Sequence, residues 1–173
     1  CPVLVLGGPG SGKTTLSLLK AQVMLPALYP GQEILFLSFS RAAVRQTEIR
    51  CCDILRSEER RKIAVRTYHA FAMDILRAHG RLLTGHVPRI IYPGEEKLAK
   101  AVFGGDWDAE AKRLARDEGR YVFSQFAAAA AGLVIGSASI ASLLANKYPV
   151  IILDELQDTD DAQWDLVKAL SAR

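Results

Sequence analysis

One segment near the start of the chain has the residue types and spacing for phosphate chemistry. Residues 7 to 14 read G-G-P-G-S-G-K-T, which satisfies the pattern G-x-x-x-x-G-K-[ST]. Glycines let the backbone curl so that several N–H groups converge on phosphate oxygens, and a following helix points its N-terminus at the same anion. Lys13 can reach the β- and γ-phosphates, and the Thr14 hydroxyl can take a place on Mg²⁺. The segment predicts a nucleoside triphosphate site, but it does not indicate how the energy is used.

A second group of residues supplies the acids that such a site needs. The apolar run V-I-I-L ends at Asp154 and Glu155, and a strand that ends in acids places them at the carboxyl edge of a parallel sheet, where ligands bind. We expect Asp154 to hold Mg²⁺ through water and Glu155 to orient the attacking water as general base. An apolar run followed by two acids is also common in strands that lead into surface helices. The phosphate loop in the same chain favours the metal site.

The elements around these motifs alternate between strands and helices, and the predicted strands are apolar along their length. This pattern predicts an α/β fold with a parallel sheet covered by helices on both faces, as in P-loop NTPases. The predicted strands lie in the segments PVLVLG, QEILFLSFS, KIAVRT, RIIY and YPVIILDE. We expect residues 1–85 and 146–173 to form the nucleotide-binding domain and residues 86–145 to form a helical insertion.

Three segments within this frame have specific helical predictions. The segment RAAVRQTEIRCCDIL has helical spacing, with Ala43, Ile49 and Leu55 expected near one face. The segment DAEAKRLARDEGRYVF is expected to be a charged, solvent-facing helix. The closing segment DAQWDLVKAL is expected to be a helix with Asp160 or Asp161 as its N-cap.

Composition limits the class of protein. The chain has 173 residues and a net charge of +3, which is compatible with a polyanionic partner without demonstrating one. The three cysteines, Cys1, Cys51 and Cys52, form no zinc or disulfide pattern and suit a reducing cytoplasm. Residues 122–145 carry no charge, but their Ala, Ser and Gly content favours one or two buried helices over a membrane span. We therefore expect no membrane partner.

The residues that follow the acids carry a family resemblance. The segment D-E-L-Q-D-T-x-x-x-Q, with Gln157, Asp158 and Gln163, resembles the second motif of the UvrD/Rep family of superfamily 1 DNA helicases. ILFLSFSRAA resembles that family's T-F-T-N-x-A-A motif, with Arg41 in place of Asn, and RTYHAFAMDILR resembles its T-F-H motif. RIIYPGEEKLAKAV is a weaker match. The resemblance covers residues 1 to about 103 and 146 to 173.

The resemblance implies a RecA-like domain that binds ATP with Mg²⁺ and contacts single-stranded DNA. The implied nucleotide ligands are Gly7, Gly8, Pro9, Gly10, Ser11, Gly12, Lys13, Thr14, Thr15 and Asp154, of which Thr14 and Asp154 bind the metal. The implied catalytic residues are Glu155, Lys13 and Gln157. The implied DNA-binding residues are Ser38, Phe39, Ser40, Arg41, Thr67, Tyr68 and His69.

Several of these roles have a simpler alternative. Phe39 could be a core residue at a strand end, and His69 could be a packing histidine. Arg41 could contact a phosphate or form a salt bridge, and Gln163 could simply be exposed. Trp164 is expected to be a packing residue. For the whole chain, the alternative to a motor domain is a nucleotide-dependent DNA-binding subunit of a repair nuclease.

The resemblance also implies a larger parent protein. The family's G-D-x-x-Q-S motif and its second RecA-like domain, which supplies an arginine finger, have no counterpart in this sequence. We therefore expect this chain to work with that second domain, and to bind nucleotide without unwinding DNA by itself. An unrelated P-loop kinase or signalling ATPase would not explain the acidic motif together with T-Y-H-x-F.

Overall fold

A computed structural model describes residues 3–8 and 10–171 of the chain. The strands of this part are β1 (Ile34–Ser38), β2 (Ile63–Thr67), β3 (Arg89–Ile91), β4 (Arg120–Val122) and β5 (Val150–Leu153). Its α-helices are α1 (Lys13–Met24), α2 (Arg41–Ile54), α3 (Ser57–Arg60), α4 (Tyr68–His79), α5 (Arg81–Thr84), α6 (Pro93–Phe103), α7 (Trp107–Glu118), α8 (Phe126–Gly136), α9 (Ala138–Lys147) and α10 (Asp161–Ser171).

The chain divides into two units that differ from the predicted domain limits. Unit 1 comprises Cys1–Thr67 and Asn146–Asp158, and unit 2 comprises Tyr68–Ala145 and Thr159–Arg173. Unit 1 thus contains both the phosphate loop and the acidic strand end. The assignment of residues 86–145 to an insertion remains a prediction.

Unit 1 is built on a parallel sheet of order β2-β1-β5. The central strand β1 pairs with both neighbours, so that Phe36 lies opposite Val65 on one side and Ile152 on the other. All five residues of β1 are buried, whereas β5 is only half-buried. Helices α1 and α2 contribute Leu18 and Cys51 to the core on this sheet. The predicted α/β fold with a parallel sheet is confirmed.

The predicted strand before the phosphate loop is absent from the described residues. Residues 3–8 have no regular structure, and Val3 and Leu6 are more than four-fifths exposed. A strand is stabilised by hydrogen bonds to a neighbour, and residues 3–8 are not paired with any strand of the described sheet of order β2-β1-β5. A run of β-forming residues was therefore not sufficient for a strand here.

Helix α2 turns a different face to the core from the one predicted. Its buried residues are Thr47 and Cys51, with Val44 and Ile54 packed against the same core, whereas Ile49 is 62% exposed. Positions 44, 47, 51 and 54 follow the three- and four-residue spacing of one helical face. Leu55 is buried as expected, but it lies after the helix.

Unit 2 contains a helical core and a small parallel sheet. Helix α8 packs against α4 and α10, and its buried residues include Phe126, Ala130 and Val134. Strands β3 and β4 pair in parallel, with Ile91 opposite Val122. Strand β4 was predicted as the end of a charged helix. That helix stops at Glu118 because Gly119 adopts a left-handed conformation with φ of 65°.

The uncharged segment forms two helices, as the sequence predicted. The stretches Phe123–Gly136 and Ala138–Lys147 meet at a bend of 106°. Among the described residues, no single helix is long and apolar enough to span a membrane. Trp164, expected in the core, is 41% exposed instead.

Candidate functional site

The phosphate loop has the backbone that its glycines permit. Gly10 and Gly12 have φ of 75° and 83°, in the left-handed region that side chains disfavour. At Gly7 a Cβ atom would lie 2.5 Å from the Oγ atom of Ser11, so a side chain there would require the Ser11 hydroxyl to move. Gly8 also belongs to the described part of the loop, whereas Pro9 lies outside the described residues.

Helix α1 begins directly after Gly12 and presents an uncapped N-terminus. No side chain caps this end, and its first turn carries no acid. The first N–H groups of a helix have no partner inside it and carry partial positive charge. Thr14 and Thr15, both half-buried, belong to this first turn. The arrangement suits an anion at the start of α1.

Lys13 lies over the loop. Its Nζ atom donates hydrogen bonds to the carbonyl oxygens of Gly7 at 2.7 Å and Gly8 at 3.0 Å. Because both bonds use neutral acceptors, the ammonium retains its full positive charge. The structure therefore combines a cation with the free N–H groups of α1, as phosphate binding requires.

Asp154 begins where β5 ends. Its amide donates a hydrogen bond to the carbonyl of Leu37 at 2.9 Å, which ties it to the neighbouring strand β1. Burial raises the pKa of the Asp154 carboxyl, and the negative charge of Glu155 raises it further. The positive charges of Lys13 and Arg50 act in the opposite direction. The charge of Lys13 in the loop therefore acts on the carboxyl of Asp154 at the strand end, and the roles of both residues remain predictions.

Glu155 is held in an unusual backbone conformation. Its φ of 52° makes it the one non-glycine residue with positive φ in the described chain. Such conformations cost energy and are found preferentially at functional sites. The Nε2 atom of Gln157 donates a hydrogen bond to the Oε2 atom of Glu155, and the amide of Asp158 donates one to its carbonyl at 3.0 Å. Gln157 thus orients the carboxylate predicted to be the base.

Arg50 lies near enough to Asp154 for its charge to act on that carboxyl, although no sequence motif includes it. It lies on the exposed surface of α2, and its charge lowers the pKa of Asp154. No local pattern marks it, because its position depends on α2 running back along the sheet from the end of β1. An exposed arginine in a helix is otherwise indistinguishable from a solvated surface residue.

The acids fit a Mg²⁺ ion of the kind that arrives with a nucleotide. Within residues 3–8 and 10–171 no three His, Cys, Asp or Glu side chains group as a self-sufficient metal cage. Mg²⁺ is usually held by one or two carboxylates together with phosphates and water. Asp154 provides such a carboxylate, and burial raises its pKa, so that a cation would stabilise its negative charge.

The segment after β1 carries the first predicted DNA contacts. Ser38 is fully buried, and its Oγ atom has no hydrogen-bond partner among the described residues. The side chain of Phe39 is 49% exposed, so it is not a core residue. Ser40 caps α2, because its Oγ atom accepts a hydrogen bond from the Ala43 amide at 3.1 Å. Arg41 is exposed, and the described part of the chain gives it no ion pair.

The second predicted DNA segment begins at Thr67, the last residue of β2, and continues into unit 2. Tyr68 is buried, and its hydroxyl accepts a hydrogen bond from Thr159 at 3.3 Å. The ring of His69 stacks on Phe123, with centroids 4.0 Å apart and an interplanar angle of 8°. Burial lowers the pKa of His69. Packing contacts are thus established for both rings, and their DNA contacts remain predictions.

Gln163 has a different environment from the one considered from sequence. It is buried in unit 2, and its Oε1 atom has no partner among the described residues. The backbone amide of Gln163 donates a hydrogen bond to the Oδ1 atom of Asp160 at 2.8 Å. This bond makes Asp160 the N-cap of α10, one of the two residues predicted for that role.

Comparison with known proteins agrees with this arrangement. The family model described as the UvrD/REP helicase N-terminal domain matches residues 1–115 and 110–173. The Bacillus subtilis (strain 168) protein named "Putative ATP-dependent DNA helicase YjcD" is 21% identical to this chain over an alignment of 216 residues. The alignment covers 99% of this chain and 28% of that protein. The chain thus spans less than a third of that relative. The family match confirms the resemblance that the motifs predicted.

Proposed function

Because the chain belongs to the UvrD/REP helicase N-terminal domain family, we propose that it is the ATP-binding motor domain of a DNA helicase. In the full-length protein it would couple hydrolysis of Mg-ATP to translocation on single-stranded DNA and to unwinding of the duplex. The observation that carries this proposal is the arrangement of unit 1. Lys13 lies over the glycine loop at the start of α1, and Asp154 and Glu155 follow the parallel strand β5.

The described residues support a division of labour in phosphoryl transfer. The N–H groups at the start of α1 and the ammonium of Lys13 bind the β- and γ-phosphates and stabilise charge on the departing diphosphate. Glu155 accepts the proton of the water whose oxygen attacks the γ-phosphorus. Gln157 keeps the Glu155 carboxylate oriented through its side-chain hydrogen bond. Arg50 adds positive charge on the side of α2.

Thr14 and Asp154 are the residues we assign to Mg²⁺. When bound, the ion would neutralise phosphate charge and make the γ-phosphorus easier to attack. We assign the segment from Ser38 to Arg41 to single-stranded DNA, since an exposed aromatic ring accepts any base and hydroxyl and guanidinium groups hold phosphates. Resemblance alone assigns Thr67, Tyr68 and His69 to the same DNA strand.

Two further elements complete the proposal. A second RecA-like domain of the same protein would close on the nucleotide and supply an arginine, so this chain alone would bind nucleotide without unwinding DNA. We also propose a cytoplasmic location, which suits the free thiols of Cys51 and Cys52.

Titration of the chain with a fluorescent ATP analogue in Mg²⁺ buffer tests the nucleotide site. The Lys13→Ala variant should lose binding, because it removes the cation of the loop. Lys20→Ala is the matched control, since Lys20 is an exposed lysine of the same helix away from the loop. Equal binding by Lys13→Ala and the unaltered chain would refute the assignment of the loop.

A further inference from the structure

Helix α2 exposes a second arginine one turn beyond Arg41. Residues four apart on a helix lie on the same side, with their Cβ atoms about 5–6 Å apart. The core-facing positions of α2 are Val44, Thr47 and Cys51, which directs Arg45 to the opposite side. Arg41 and Arg45 therefore form a short row of positive charge on the first two turns of α2.

Neither arginine of this row is neutralised by an acid. The first turn of α2 carries no acidic residue, and neither Arg41 nor Arg45 forms an ion pair in residues 3–8 and 10–171. Some other surface arginines do pair with acids: Arg56 contacts Glu59 at 2.9 Å and Arg113 contacts Glu110 at 2.7 Å. Glu48, one turn beyond Arg45, does not pair with it either. Two unpaired guanidinium groups on neighbouring turns provide donors for phosphate oxygens.

The row starts at a fixed point in unit 1. Because the Ser40 hydroxyl caps α2, the helix begins immediately after the exposed ring of Phe39. The ring of Phe39 provides a stacking surface. Arg41 and then Arg45 follow it as successive ligands for the phosphates of a nucleic-acid backbone. Proteins that bind single strands without reading sequence use this combination.

We propose that Arg45 binds a backbone phosphate of single-stranded DNA, next to the nucleotide that contacts Phe39 and Arg41. This inference rests on the proposed function and extends its DNA path along α2. The contact is to phosphate and not to a base edge, so it adds affinity without sequence preference.

Equilibrium binding of fluorescent oligo(dT) and a mixed-sequence oligonucleotide to the full-length protein, over a series of salt concentrations, tests the proposal. Each phosphate contact on a single strand contributes about 0.7 to the slope of log K against log salt. Arg45→Ala should lower that slope by about this amount and weaken both oligonucleotides by the same factor. Arg45→Lys, which keeps the charge, should retain most of the slope.

Arg61→Ala provides the matched control. Arg61 is an exposed arginine of unit 1 just before β2, at the amino end of the sheet, whereas Arg45 lies near the carboxyl end. Its loss should leave the slope unchanged. If Arg45→Ala behaves like Arg61→Ala while Phe39→Ala weakens binding, the role of Arg45 is overturned and the proposed function stands. If the unaltered protein binds neither oligonucleotide, both are overturned.

Discussion

The carbonyl of Leu37 accepts a hydrogen bond from the amide of Asp154 at 2.9 Å. Leu37 also pairs with Leu153 in the register of β1 and β5. The residues that follow these partners are Ser38 and Phe39 on one strand and Asp154 and Glu155 on the other. The segment assigned to DNA and the acids assigned to nucleotide therefore begin at adjacent ends of two paired strands.

The carboxylate of Glu155 is expected to matter for turnover and not for binding. Glu155→Gln keeps the size of the side chain but removes the base. The rate of ATP hydrolysis by the full-length protein should fall by a factor of about 10²–10⁴, the usual contribution of a general base. Nucleotide affinity, measured by fluorescence titration, should stay within a few-fold. A variant that hydrolyses ATP at the original rate would exclude Glu155 as the base.

Arg50 should contribute to the nucleotide site although no motif includes it. Arg50→Ala removes a positive charge that acts on Asp154. We expect affinity for Mg-ATP to fall by about tenfold, since one contact to a charged group is worth about 1.5 kcal/mol. Arg50→Lys should retain most of the affinity. Arg61→Ala is again the control, and an equal loss in both variants would indicate a general effect of net charge.

The hydroxyl of Ser40 should stabilise α2. Ser40→Ala removes the acceptor for the Ala43 amide, and loss of an N-cap costs about 1 kcal/mol. Chemical denaturation should show this decrease in the free energy of unfolding. Ser40→Thr retains a hydroxyl and should recover most of it. If alanine and threonine are equally stable, the cap makes no measurable contribution.

The neighbouring cysteines of α2 should differ in reactivity. Cys51 is buried, which raises the pKa of its thiol to about 11, while Cys52 is exposed. A raised thiol pKa leaves little thiolate near neutral pH, and the thiolate is the reactive form. Iodoacetamide at neutral pH should therefore modify Cys52 much faster than Cys51, as peptide mass spectrometry can measure. Faster labelling of Cys51 would mean that α2 is rotated, and Arg45 with it.

Motif spacing located the phosphate loop before α1 and the acids after β5, whereas the chemistry assigned to them remains a prediction. The loop from Gly7 to Thr14 and the acids at residues 154 and 155 could be assigned from sequence because phosphate binding restricts residue type at each position. Periodicity also located β1, β2 and most helices. The prediction of the inward face of α2 was wrong, because Thr47 and Cys51 are buried and Ile49 is exposed.

Features that depend on distant parts of the chain could not be predicted. Arg50 acts on Asp154 only because the fold brings these two residues, far apart in sequence, near each other. The segment at residues 3–6 has the composition of a strand but lacks a paired neighbour in the described structure. Neither the burial of Gln163 nor the stacking of His69 on Phe123 follows from local pattern, since both depend on packing between elements.

The rate of ATP hydrolysis by the full-length protein, measured with and without single-stranded DNA, tests the central claim most directly. Glu155→Gln serves as the background in the same assay. If the chain is a helicase motor domain, DNA should raise the rate well above that of the protein alone, and the increase should vanish in Glu155→Gln. A protein that hydrolyses ATP at the same rate with and without DNA would contradict the account, because the segment at Phe39 would then have no connection to the nucleotide site.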